Sequence, residues 1–401
     1  MQRSPDPSVS ARAWRQPGLP APQWGVLGAV GVLAAVLVTL IAREAPRLGL
    51  LFVIGVLIGV TLYHAHFGFT GAYRRLIVRG EVEGVRAQLA MIALACVLFA
   101  PLLSAGDFGG HPLVGAVAPA GWQVAIGAFL FGIGMQLAGG CGSGTLYTVG
   151  GGRLRMGATL AAFCAGSFWA SLHMDFWQRL PVWESRSLAE LVGWPEAVAF
   201  QLAVLGLLAW IAGRYGRRRT PLPASGRRGL RRLFTGPWPL LAGAVLLALL
   251  NVATLAAAGH PWSITWAFTL WGAKAASLMG WNPEGDPFWN APFQRAALEA
   301  DVLSDVTSVM DIGMVVGAMA AAAAAGRFAP QWSAPTGALV AAVIGGLVMG
   351  YGARLAYGCN IGAFFSGIAS TSLHGWLWIA AALPGNWVGI KLRPWFGLSR
   401  E

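Results

Sequence analysis

Charge is scarce in this sequence. Only 11% of its 401 residues are Asp, Glu, Lys or Arg, against about a quarter in an ordinary soluble domain. No segment regains the mixed composition of a water-facing fold, which excludes a soluble catalytic domain. Cysteine is sparse too. Its four residues, Cys96, Cys141, Cys164 and Cys359, form no CxxC and no Cys/His cluster, so neither a metal site nor a disulfide framework is expected, and no cofactor is implied. No signal-type cleavage site follows the polar first 23 residues, so the apolar run behind them reads as a retained span. Acidic residues number 16 against 28 basic ones, a net charge of +12. Such an excess would suit nucleic acid, but the Arg and Lys residues lie in short loops between apolar runs. They read as loop charges flanking membrane spans, with no nucleic acid as partner.

What the sequence has is apolar length. Hydrophobic residues make up 56% of the chain, in runs near the roughly 20 residues that cross a bilayer. Full spans are expected at about 24–42, 46–63, 85–104, 121–139, 156–173, 196–213, 238–258, 308–325, 335–355 and 374–390. Four shorter Gly- or Pro-marked stretches lie between them, at 64–79, 140–152, 260–280 and 357–371. The fold class is thus an all-α polytopic membrane protein: about ten transmembrane helices plus re-entrant half-helices, embedded in lipid. The segment 214–232 holds eight Arg and is placed in the cytoplasm. Arg3, Arg12, Arg15, Arg74, Arg75, Arg79, Arg86, Arg153 and Arg155 fall on the same side. The stretch 260–280 is apolar enough to cross. A crossing would put Arg327 and the tail's Lys391, Arg393 and Arg400 outside, so it is read as dipping in and returning, with both chain termini cytoplasmic.

The chain also repeats itself. Gly132-Ile-Gly134-Met-Gln-Leu137-Ala138-Gly-Gly140-Cys141-Gly-Ser-Gly144 matches Gly350-Tyr-Gly352-Ala-Arg-Leu355-Ala356-Tyr-Gly358-Cys359-Asn-Ile-Gly362, with seven identical positions at an offset of 218. A weaker pair joins Phe67–Tyr73 to Trp262–Phe268. Residues 1–45 then form an N-terminal segment with an extra span, 46–195 a first transport repeat, 196–237 a linking span and basic loop, 238–391 a second repeat, and 392–401 a tail. A single span between two four-span units makes the second enter the membrane upside down. Inverted repeats of this kind mark transporters whose substrate site lies where broken helices meet. Small-residue repeats can instead be helix packing alone; the paired cysteines, each followed by helix breakers, point beyond that.

Non-helical backbone at membrane depth survives only where it lines a cavity or is buried in protein. Gly140, Gly142, Gly144, Gly358 and Gly362 interrupt the helices around the two cysteines, which predicts half-helices whose N-terminal N–H groups face the bilayer centre and favour an anion. Cys141 and Cys359 would be the innermost side chains, neutral thiols suited to an anion with a soft sulfur atom. Ser143, Thr145, Asn360, Thr70, Ser263 and Thr265 offer further donors or, alternatively, helix caps. Cys96 and Cys164 read as small hydrophobes. Arg354 either attracts the anion at the outer mouth or pairs with a loop carboxylate. Asp311, at the start of a span, reads as a cap sooner than as a relay. With no carboxylate inside a span to couple protons, passive movement is expected.

At GMQLAGGCGSG around Cys141 and GARLAYGCNIG around Cys359, supported by HFGFTGAYR, GHPWSITWAF and DIGMVVGA, the sequence resembles the sulphur-transport (YeeE/YedE) family of bacterial inner-membrane proteins over roughly residues 47–391. The resemblance implies an hourglass-like thiosulfate importer of the inner membrane, in which cysteine thiols hand the ion on through transient hydrogen bonds. Cys141 and Cys359 match two of the pathway cysteines. It also implies, as a partner, the small cytosolic sulfur-carrier protein associated with some members. The family's first motif often carries a cysteine where this chain has Gly68. Either Gly68 N–H, Thr70 or a water stands in for that thiol, or the cargo is another sulfur or a selenium species. Two other readings stay open: a membrane sulfurtransferase working through a cysteine persulfide, and a structural subunit without a path of its own.

Overall fold

The computed structural model describes residues 21–153, 155–217, 230–331 and 333–400. Arg3, Arg12 and Arg15, and Arg218, Arg219, Arg227 and Arg228 of the basic linker, lie outside these residues, so their expected cytoplasmic side is left as read from sequence.

The long helices follow the apolar runs. They are α1 (Trp24–Glu44), α2 (Pro46–Ala65), α4 (Glu83–Ala105), α5 (Trp122–Ala138), α7 (Arg155–Ser171), α8 (Trp194–Tyr215), α9 (Leu240–Ala258), α11 (Val306–Ala324), α12 (Thr336–Leu355) and α13 (Leu373–Leu392). Between them sit the short helices α3 (Phe69–Arg79), α6 (Gly142–Gly150) and α10 (Thr265–Leu278), and a π-helical segment Asn360–Ser366 that continues as Gly367–Ala369. Strand structure among the described residues is limited to two-residue pairs such as Asp107–Phe108 with His111–Pro112. Pro46 at the first turn of α2 and extended Ala45 (φ −157°) separate α1 from α2, since proline's missing N–H is harmless there.

By length and composition, eight helical stretches in the described residues can cross a membrane. Two of them, Pro46–Arg79 and Trp122–Gly150, run on through a break into a short helix. Of the ten spans expected, the remaining two are helices α7 and α13, which fall outside those eight. Both are more polar, burying Thr159 and Ser167, or His374 and Asn386, against their neighbours. The ambiguous stretch 260–280 starts as extended chain and becomes α10 only at Thr265. Its 14 residues rise about 21 Å at 1.5 Å each, short of a hydrocarbon core about 30 Å thick.

Each repeat has the same order: long, short, long, long, short, long. The two interleave instead of folding side by side. α2 packs on α11 and its counterpart α9 on α4; α5 packs on α13 and its counterpart α12 on α7; α5 and α12 cross each other. Glycine makes these crossings close. A Cβ on Gly134 would sit 2.5 Å from Met349 N, and one on the matching Gly352 would sit 2.7 Å from Phe131 N. The Gly-rich motifs therefore act partly in packing, as the bland reading held.

Two expectations are corrected here. Asp311 is not a cap: it lies in the second turn of α11, fully buried, while Asp305 caps the helix by accepting from Ser308 N–H at 2.7 Å. A carboxylate does therefore sit inside a span. Arg354 pairs with no carboxylate among the described residues. Its guanidinium lies over the ring of Phe288, 5.1 Å from the centroid, because the 281–307 loop folds back over the end of α12.

Candidate substrate pathway

Both cysteines stand at helix starts, and the two starts meet. Gly139 (φ +84°) ends α5 in a left-handed conformation that favours glycine, and extended Cys141 then precedes α6. In the second repeat Tyr357 (φ +56°) takes the place of Gly139, and Gly358 (φ +149°) follows it before Cys359 and the π-helical segment. The backbone wraps each sulfur alike. Cys141 O accepts from Thr145 N–H (2.7 Å) and Cys359 O from Ala363 N–H (3.0 Å). The Gly144 N–H is directed at the Cys141 sulfur and the Gly362 N–H at the Cys359 sulfur. Ile361 N–H donates to Cys359 Sγ at 3.4 Å, and Ser143 Oγ lies 3.4 Å from Cys141 Sγ.

Space between the two is minimal. A Cβ on Gly142 would touch Cys359 Sγ and Ile264 Cγ2, each at 3.4 Å, so the thiol of one repeat lies within van der Waals reach of the helix start of the other. The remaining two short helices arrive at the same place. Gly68 and Phe69, at the start of α3, lie against Tyr147 of α6 and Phe364 of the π-helical segment. Ser263, just ahead of α10, lies 3.3 Å from where a Cβ on Gly362 would be. Phe69, Phe268, Phe364 and Ile264 are all buried around this junction, and Phe69 and Phe364 meet edge to face at 6.4 Å. The four helix starts thus converge on an apolar constriction.

Polar atoms without partners collect there. Thr70 Oγ1, Thr145 Oγ1 and both amide atoms of Asn360 are buried with no hydrogen bond in the protein. Tyr73 OH faces the Asn360 amide, but in a geometry that makes no proper bond. Orphaned buried polar groups are costly, and such a cluster is what a polar cargo would complete. Gln136 braces it: its Nε2 donates to Thr70 O (3.1 Å) and Asn386 Oδ1 (2.7 Å). No cationic side chain is a hydrogen-bond partner of either thiol among the described residues; those partners are Ser143 Oγ and Ile361 N–H.

On one side the constriction opens into a cavity of about 720 Å³, lined by Arg153, Arg155, Arg327, His66, Tyr147 and Gly139 among others. None of these arginines has an ion-pair partner among the described residues. Arg393 stands close by and donates to Gln136 O at 2.6 Å. Burial, then the nearby Arg74 and Arg155, pull its pKa down to about 10, so it too is charged at neutral pH. Tyr147 links cavity and constriction, with its hydroxyl 3.3 Å from where a Cβ on Gly68 would be.

Of the residues named from sequence, Cys141, Cys359, Gly140, Gly142, Ser143, Gly144, Gly358, Asn360, Gly362, Gly68, Thr70 and Ser263 fall at or beside this junction. Thr265 begins α10 and gives its carbonyl to Thr269 Oγ1 (3.1 Å), while Arg354 stands apart over Phe288. Sequence reading missed Tyr73 and Tyr147, and noted Gln136 only as the counterpart of Arg354. Tyr73 had one faint signal, a place on the buried stripe of amphipathic α3.

The model of the family described as sulphur transport matches residues 64–388. The probable transporter YedE of Escherichia coli is 33% identical over 154 residues, 38% of this chain and 37% of that protein, so the match spans little over a third of that relative's length. The thiosulfate transporter TsuA of Spirochaeta thermophila is 29% identical over 349 residues, 83% of this chain and 95% of TsuA. TsuA of Escherichia coli is 26% identical over 357 residues, covering 85% and 94%.

Proposed function

We infer that this chain, which belongs to the sulphur transport family, imports a small sulfur-containing anion, most consistently thiosulfate, across the bacterial inner membrane. The single observation that carries the reading is the meeting of two inverted cysteine-led helix starts, Cys359 Sγ against Gly142, beside unpartnered Thr70, Thr145 and Asn360. The names of the two TsuA relatives suggest the cargo.

The chemistry follows from the geometry. Helix-start N–H groups and neutral thiols can replace the water around an anion without a full positive charge to trap it. A polarisable sulfur suits the terminal sulfur of thiosulfate better than it suits an oxygen. Asn360, Thr70 and Tyr73 would take the sulfonate oxygens. Beyond the constriction, the cationic cavity would draw the ion onward; the positive-inside rule supports a cytoplasmic position for that cavity. A persulfide route is less favoured, since it needs an activated, accessible thiolate, and neither buried thiol has a cation beside it.

Purified protein in liposomes should take up labelled thiosulfate, with unlabelled thiosulfate competing far better than sulfate. Uptake no faster than in empty liposomes sinks the transporter reading, and equal competition by sulfite or selenite changes the cargo.

Gly68 offers a second test. Its φ of −151° is ordinary extended backbone, and an added Cβ meets only the Tyr147 hydroxyl at 3.3 Å. Gly68→Cys should therefore fold with a stability change within about 0.5 kcal/mol and place a third thiol between constriction and cavity. Faster thiosulfate uptake is the expected result. A slower rate at unchanged stability would mean that the glycine belongs to a different cargo.

A further inference from the structure

One buried acid on a helix packed against α6 and α10 has no structural task. Neither oxygen of Asp311 has a hydrogen-bond partner among the described residues, and the residue is fully buried. Its helix, α11, packs against α6, which begins at the Cys141 break, and against α10, whose start lies at the same junction. Asp305, Ser308 and Asp311 follow one another at three-residue spacing, on one face of α11. The row leads from half-exposed Asp305 inward past buried Ser308. Two indoles hold its outer part: Trp266 Nε1 donates to Asp305 Oδ1 (3.1 Å) and Trp271 Nε1 to Ser308 Oγ (2.9 Å).

No cationic group pairs with Asp311 among the described residues. The helices against α11 are α1, α2, α6, α10, the short Leu230–Thr235 and the 3-10 turn Val302–Ser304 that leads into it. Arg43, Glu44 and Arg47 stand at the ends of α1 and α2, and Tyr63 and His64 at the far end of α2. Tyr147 of α6 lines the cavity. Lys274 of α10 is bound to the carbonyls of Leu298 and Ala300. Arg232 of the short helix donates to Pro237 O.

We propose that Asp311 is a proton-binding site coupling proton entry to anion passage, so that the protein is a proton–anion symporter. The proposal rests on the reading of the constriction as an anion pathway. An ionised carboxylate without a partner is costly in a dry interior, so Asp311 holds a proton at rest. A dianion among the thiols makes loss of that proton costlier still. By linkage, the proton then favours anion binding to the same degree. The proton enters from the outer solution by way of Asp305 and Ser308, and passes to inner-side water once the anion has left. No bond to the cargo forms or breaks.

The test uses the full chain in liposomes at zero voltage, set by potassium and valinomycin, with a pH dye trapped inside. Adding thiosulfate outside should acidify the lumen. Each unit of inward pH gradient should raise thiosulfate accumulation about tenfold per coupled proton. Asp311→Asn, neutral and equal in shape, should keep exchange of labelled for unlabelled thiosulfate yet accumulate none in response to the gradient; Asp311→Glu should respond. Wild-type exchange with a silent dye overturns the proposal, whether or not the variants fold, and so does an Asp311→Asn protein that still follows the gradient. Wild type without exchange overturns the anion reading itself.

Discussion

Replacing Cys359 or Cys141 by alanine is expected to slow thiosulfate uptake about ten- to a hundredfold while the protein stays in the membrane. Hydrogen bonds to charged groups contribute about 1.5–3 kcal/mol, and that range, lost only where the ion is most dehydrated, appears as one to two decades of rate. Both sulfurs meet the same junction, so neither variant should be rescued by the other cysteine. Serine at either site keeps a donor but loses the soft sulfur, and should fall between alanine and wild type. The check is initial uptake rate in liposomes, normalised to inserted protein. Alanine variants that match the wild type would remove the thiols from the route.

The second large effect is on folding. Gly352→Val should prevent recovery of monodisperse protein, or lower its stability by at least about 3 kcal/mol, the upper part of the overpacking range. The added carbons have nowhere to go, since the first would lie 2.7 Å from Phe131 N. Backbone on both sides cannot swing away as a side-chain tip would. Gly157→Ala in α7 is the control: nothing lies within 4 Å of its Cβ, so it should gain about 0.5–1 kcal/mol from helix propensity. Thermal unfolding in detergent separates the two. Equal behaviour would mean that the α5–α12 crossing is loose enough to admit the added carbons.

Thermodynamics bears on the driving force. Moving a dianion inward against an inside-negative potential costs about 4.6 kcal/mol per 100 mV, twice the cost of one charge. Passive entry, the expectation from sequence, leaves that cost to removal of the ion inside; a proton on Asp311 would lower it.

Much of this fold is legible because its signals are local. Apolar length marks the long helices, and the repeated Gly-Cys motifs mark two of the breaks. The Asp311 expectation failed for a tertiary reason. Acids at Asp305 and Asp311 both sit near a helix start in the sequence, and only the packing of α2, α6 and α10 decides which faces water and which is sealed. Arg354 is alike: its neighbour Phe288 belongs to a loop whose return path no periodicity records. Tyr73 and Gln136 carry polar ends that elsewhere would read as interface anchors. Their closeness to Cys141 and Thr70 depends on how the two repeats interleave. The π-helical turn after Cys359 has no distinctive local composition.

That interleaving bears on biogenesis. While the ribosome is still making the second half, α2 has no α11 to lie against, and α5 has neither α12 nor α13. Gly55, Gly59 and Gly132, each shaped to admit a backbone that does not yet exist, would face lipid or an insertion chaperone. The early half should thus be a short-lived, protease-sensitive species. Cutting the gene at the linker should give two fragments that survive only when made together.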